Sequence, residues 1–150
     1  MKGFTQQNGF TMFELIMTLG LSLVISGIAA MNLKELDDPL KNGSAQLEGF
    51  FKLARAKATS STSAYTVMPE NSGNLITKFS PTCGTPLEEQ VEDPNLRLEF
   101  PTGAFLADTD WTLCYDSRGL PDGNLAVEVY DQDGDVKTVQ VYLGGGVRIE

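Results

Sequence analysis

The chain has 150 residues, a formal net charge of -9 and no histidine. Such acidity disfavours non-specific binding to nucleic acid, whose affinity comes largely from neutralising phosphates. The lack of histidine argues against a zinc site and against His-dependent catalysis, so no enzymatic activity is expected.

Residues 1–9 are polar and carry one charge, Lys2. Residues 10–31 then form an apolar run with a single ionisable group, Glu14. At about 1.5 Å per residue, a helix of that length reaches about 30 Å, the thickness of a bilayer's hydrocarbon core. A secretory signal peptide is the rival reading. It calls for a shorter apolar stretch, basic residues directly before it and small residues at a cleavage site. Lys2 is distant from the run, but Ile28-Ala29-Ala30-Met31 does offer small residues, so cleavage near Ala30 and release of a soluble secreted enzyme stays open. Glu14 favours the anchor. A carboxylate inside an apolar span costs several kcal/mol in lipid and persists mainly where it finds a partner. In an assembled bundle that partner would be the free amine of a neighbouring subunit's first residue, and the pairing would set the stagger between subunits. The other reading is an acid that snorkels from the helix end.

Gly9-Phe10-Thr11-Met12-Phe13-Glu14-Leu15, following a short polar leader and heading a long apolar helix, resembles the type IV prepilin processing motif. Gly3-Phe4-Thr5 starts the same pattern, but Asn8 stands where the glutamate belongs. The resemblance implies cleavage by a prepilin peptidase between Gly9 and Phe10 and N-methylation of the new terminal Phe10. It also implies a single-pass anchor in a bacterial inner membrane, with the C-terminal domain in the periplasm or outside. The partners it implies are membrane lipid, an assembly platform and other pilin or pseudopilin subunits, which Glu14 helps to align.

Beyond the span, Asp37-Asp38-Pro39 suits a helix break or a new helix start, because Asp caps helices and Pro is tolerated in the first turn. Over residues 40–60 the apolar residues Leu47, Phe50, Phe51, Leu53, Ala54 and Ala58 recur at helical spacing. They predict an amphipathic helix packed on a sheet, with Lys52, Arg55 and Lys57 toward its C-terminal half, where cations suit the helix dipole. Thr59 to Ser63 reads as the polar linker that ends it.

The rest reads as strands and turns. Expected strands cover 64–68, 75–79, 95–100, 111–115, 125–130, 136–142 and 147–150. The clearest hairpin joins 125–130 to 136–142 through Asp131-Gln132-Asp133-Gly134-Asp135. The expected fold class is therefore α+β: a long N-terminal helix, partly transmembrane, packed on a C-terminal antiparallel β-sheet domain. The expected parts are a leader (1–9), a membrane and assembly helix (10–31), an amphipathic second half with linker (32–63) and a β domain (64–150).

The C-terminal half is similar to the GspH/FimT group of minor pilins and pseudopilins. The similarity rests on Leu53-Ala54-Arg55 in the helix, Tyr115-Asp116-Ser117-Arg118-Gly119 and a glycine-rich Gly144-Gly145-Gly146-Val147-Arg148 ending. It implies a structural subunit of a type IV pilus or type II secretion-type filament. Some relatives bind DNA during uptake through a terminal Gly-Arg-x-Arg. Here Arg148 matches the second arginine and Gly146 replaces the first, so a DNA-uptake role is the alternative and Arg148 its contact.

Three smaller features complete the reading. Cys83 and Cys114 form one disulfide if the domain is oxidised outside the cytoplasm, or stay two half-buried thiols. Asp131, Asp133 and Asp135 offer oxygens to Ca²⁺. Yet calcium takes six to eight such ligands and an Asp-Gly hairpin needs none, so no cofactor is expected. Asp116 is expected to stabilise a turn in which Gly119 takes a positive backbone angle, rather than to pair with Ser117 in catalysis.

Overall fold

A computed structural model describes residues 11–33, as backbone alone from 28 to 33, and residues 38–150. The leader, Gly9, Phe10 and the sequence around Asp37 lie outside the described residues. Two compact units result, Met1–Asp38 and Pro39–Glu150.

The first unit contributes helix α1, Met12–Leu33. Its side chains from 12 to 27 are exposed on every side, among them Phe13, Leu15, Ile16, Leu19, Leu23 and Ile25. A helix apolar all round has no water-facing side and needs an apolar environment or partners. Its hydroxyls do not spoil that character. Thr18 Oγ1 donates to the Leu15 carbonyl (3.0 Å) and Ser22 Oγ to the Thr18 carbonyl (2.8 Å), so both are satisfied within the helix. Among the described residues no helix is long and apolar enough to cross a membrane.

The second unit begins with helix α2, Pro39–Ser61. Pro39 occupies the first helical position, where its missing N–H costs nothing. Leu47, Phe51, Ala54 and Ala58 are fully buried, and Phe50 nearly so. Leu53 departs from the expected stripe and is 51% exposed. It lies six residues after Leu47, about 240° further round the helix, and so faces away from the sheets. The helix also runs past Thr59 to Ser61 and closes at Thr62, whose φ is 54°. The Ser63 N–H reaches back to the Ala58 carbonyl (3.2 Å), the six-to-one bond of a left-handed helix cap.

Eight strands follow in two antiparallel sheets. They are β1 (Ala64–Asn71), β2 (Asn74–Ser80), β3 (Val91–Glu99), β4 (Ala104–Leu106), β5 (Leu113–Tyr115), β6 (Leu125–Asp131), β7 (Val136–Val141) and β8 (Val147–Ile149). The first sheet has the order β3-β2-β1-β5 and the second β4-β6-β7-β8. Strands of both pack against α2. The common core joins the helix stripe to Val67, Leu75 and Leu113 of the first sheet and to Val127, Val129, Val139 and Val141 of the second. The α+β class is thus realised, with α2 as the element packed on the sheets.

Strand β4 has no counterpart among the expected elements. It has only three residues, pairs Phe105 with Tyr130, and sits where Gly43 lets α2 come close. A Cβ on Gly43 would meet the Ala104 Cβ at 2.9 Å. Strand β3 starts earlier than expected and contains Pro94. That is tolerated because β3 is the edge of its sheet. Strand β1 contains Pro69, beyond the three residues that pair with β5, and its register with β2 shifts between Pro69 and Asn71. Strand β5 begins at Leu113 rather than Trp111. Trp111 instead donates its Nε1–H to the Asp108 carbonyl (3.1 Å) and packs on Phe51, ring centroids 6.0 Å apart.

A β-branched residue at positive φ is strained. Thr62→Gly is therefore expected to raise stability, by about 1 kcal/mol, read as a higher denaturant midpoint. A lower midpoint would show that the Thr62 side chain contributes more than its backbone strain costs.

Candidate functional site: the helix start and the arginine junction

Two constellations carry the residues that the sequence singled out. The first is the start of α1. Thr11 Oγ1 accepts the Glu14 N–H (3.2 Å), while Glu14 Oε2 accepts the Thr11 N–H (2.9 Å) and the Thr11 hydroxyl (3.0 Å). This is a reciprocal capping box, which satisfies donors that a helix start leaves without partners. The sequence reading missed it, although Thr-x-x-Glu before an apolar run is itself the signature of such a box. Glu14 is therefore tied to its own helix. Both bonds land on Oε2, so the second oxygen, Oε1, receives neither.

The second constellation gathers three segments that the sequence could only note separately. Arg55 leaves α2 half-buried and donates from Nη1 to the Gly145 carbonyl (2.8 Å). Gly145 has φ 75°, and a Cβ there would sit 2.7 Å from Arg55 Cζ. Gly119 lies on the same side chain. Its φ is 76°, and a Cβ would meet Thr59 Cγ2 at 2.8 Å and Arg55 Cγ at 3.0 Å. The Gly119 turn is organised as expected: Asp116 Oδ1 accepts the N–H groups of Arg118 and Leu120, both at 2.9 Å. The helix, the Asp-x-Arg-Gly turn and the glycine-rich ending thus converge on one guanidinium.

Tyr115 lies directly before this turn and is fully buried. Its hydroxyl finds no hydrogen-bond partner among the described residues. Burial holds its pKa well above the ordinary tyrosine range, and the Arg55 charge opposes part of that shift. Two lysines of α2 also face carboxylates. Lys52 Nζ meets Glu48 Oε1 at 2.7 Å, and Lys57 Nζ approaches the buried Asp93 carboxylate at 3.8 Å.

The remaining candidates are dispersed. Cys83 and Cys114 form a disulfide with 5.7 Å between their Cα atoms, tying the loop after β2 to β5. Arg148 is exposed on the edge strand β8. Asp131 Oδ1 accepts the N–H groups of Asp133 (3.0 Å) and Asp135 (2.9 Å), and Gly134 takes φ 88°, so this segment is built as a hairpin turn. Among the described residues no group of three His, Cys, Asp or Glu side chains is placed to hold a metal ion. The hollow beside Trp111 is lined by Asp108, Glu128 and the apolar Leu125, Ala126 and Val127.

The helix packed on two antiparallel sheets has the type IV pilin-like fold of solved minor pilins and pseudopilins. Its solved neighbours include the minor pseudopilin EpsH from the type 2 secretion system of Vibrio cholerae. That similarity has a TM-score of 0.57 at 12% identity and covers 75% of this chain and 97% of EpsH. They also include the type IV minor pilin FimU of Pseudomonas aeruginosa in two crystal forms. One gives a TM-score of 0.56 at 13% identity, covering 74% of this chain and 87% of FimU. The other gives 0.56 at 15%, covering 74% and 92%. No protein-family profile matches the sequence, and no characterised sequence aligns with it significantly.

The junction generates a quantitative expectation. Arg55→Ala is expected to lower stability by about 1–2 kcal/mol through loss of the bond to Gly145. Gly145→Ala is expected to cost about 2–3 kcal/mol, because it strains the backbone and displaces the guanidinium. In the Arg55→Ala background only the backbone strain remains, so Gly145→Ala is expected to cost about 1 kcal/mol. Denaturant midpoints of the four proteins check this, and strictly additive costs would contradict it.

Proposed function

We propose that the chain is a structural subunit, of minor pilin or pseudopilin type, of a type IV pilus or type II secretion-type filament. It is made as a prepilin, cut by a prepilin peptidase after Gly9 and methylated on the Phe10 amine. Residues 10–31 hold it in the bacterial inner membrane, with the β domain outside, until an assembly platform moves it into a filament of packed N-terminal helices. Its partners are the other subunits, the peptidase, the platform and membrane lipid. It performs no catalysis. One conjunction supports this reading: a Gly-Phe-Thr-x-x-Glu start on an all-apolar helix, joined to a domain with the fold of minor pilins.

In this reading Glu14 has two tasks. Oε2 closes the capping box, and Oε1 is left for the terminal amine of a neighbouring subunit. A carboxylate bonded to its own helix start is also fixed in direction, so the pairing loses less side-chain freedom. Two substitutions separate the tasks. Glutamine can close a capping box but carries no charge, whereas alanine does neither.

Glu14→Gln and Glu14→Ala are both expected to stay in the membrane fraction. Both are expected to enter filaments at least about tenfold less than the parent chain, since losing one partner of a buried ion pair is strongly unfavourable. Immunoblots of sheared filaments or of the purified secretion assembly check this. Parent-like incorporation of Glu14→Gln would leave Glu14 a helix cap alone and remove the inter-subunit pairing.

A further inference from the structure

The loop after β2, residues 81–90, is bonded through Cys83 to Cys114, the cross-strand partner of Thr66 at the β1–β5 pairing. Cys114 and Thr66 are nearly inaccessible although neither belongs to the apolar cluster under α2. The segment contributes nothing to that cluster either. Its hydrogen bonds are mostly internal: the Thr85 N–H to the Thr82 carbonyl, the Glu89 N–H to the Pro86 carbonyl and Gln90 Nε2 to the Thr85 carbonyl. Lys78 Nζ, exposed, donates to the Leu87 carbonyl (3.1 Å) from the strand beneath. Ser80 Oγ reaches the Thr82 carbonyl from the end of β2. Around this segment two oxygens, Thr66 Oγ1 and Gln90 Oε1, are buried without hydrogen-bond partners among the described residues. Burying an acceptor unpaired is unfavourable, so the cover works against itself at those two points. The Cys83–Cys114 bond ties the segment covalently to β5.

We propose that Cys83–Cys114 is a redox latch: when it is closed, residues 81–90 lie over the β1–β5 face, and when it is reduced they lift as a flap while the two-sheet core stays folded. A dithiol reductant supplies the two electrons. Its two thiols become a disulfide as the Cys83–Cys114 bond breaks into two protein thiols, each taking one proton. Losing the staple narrows the stability margin of the whole domain as well. The core persists because its apolar cluster draws on α2 and the strands, not on the flap. The face is therefore open in a reducing compartment and closed in an oxidising one, so its shape reports export.

The full chain in detergent tests this with the glutamate-specific protease that cuts after Glu88 and Glu89, in oxidised protein, in dithiothreitol-reduced protein and in Cys83→Ser. Reduction and Cys83→Ser are both expected to speed cleavage at Glu88–Glu89 at least about tenfold, relative to cleavage at Glu70. Trp111 emission should stay unchanged, and Cys114 should become rapidly alkylated. Unchanged cleavage would show that the segment is held by its own contacts. A shifted Trp111 emission with cleavage across the strands, or a Cys83→Ser chain that does not fold, would show that the bond secures the fold itself. Either result overturns the latch.

Discussion

One helix face has to serve two sheets. The stripe of α2, with the fully buried Leu47, Phe51, Ala54 and Ala58, packs against strands of both. Each buried Leu or Phe contributes about 1.5–3 kcal/mol, but area is not the whole constraint. The stripe alternates bulk with near-absence of side chain. Phe51 reaches toward Trp111, whereas Gly43 lets strand β4 and Phe100 come close. The sheets thus meet a helix that is large in one turn and almost bare in another, where Ala104 of β4 comes close.

The junction at Arg55 solves the same problem at a polar point. Two turns, each with a glycine at positive φ, close on one guanidinium that also serves as a hydrogen-bond donor. This gives the glycines at 119 and 145 a steric reason as well as a conformational one. It also gives the helix arginine a purpose other than complementing the dipole. The start of α1 shows a parallel economy: the glutamate expected to work between subunits is first bound to its own threonine. Local capping and assembly are compatible because a carboxylate has two oxygens.

Much of the β domain was legible because its chemistry is local. Alternation placed Val127, Val129, Val139 and Val141 on one face, and the Asp131–Asp135 turn marked the hairpin between them. Asp116 and Gly119 announced their turn by residue type alone. What could not be read was set by tertiary contact. Strand β4 is too short to carry a period, and it exists because Tyr130 and Gly43 leave a place for it. The position of Leu53 follows from helix phase, which a count of apolar residues overlooks. The start of β3 follows from an edge that makes Pro94 harmless. At the candidate site, Leu-Ala-Arg, Asp-x-Arg-Gly and the glycine-rich ending were visible as three motifs, but only folding shows that they are one place. The capping box was legible in principle, and the pull of an acid in an apolar helix concealed it.

In the function proposed above, the chain keeps its apolar helix and is cut ahead of it, so that α1 becomes the assembling end of the subunit. The mass and first residues of the mature protein, isolated from membranes of cells that make it, test this most directly. The expected chain starts at Phe10, carries one added methyl group on its amine and retains the apolar helix and the β domain. A mature chain that begins after Ala30, soluble and stripped of the helix, would contradict it.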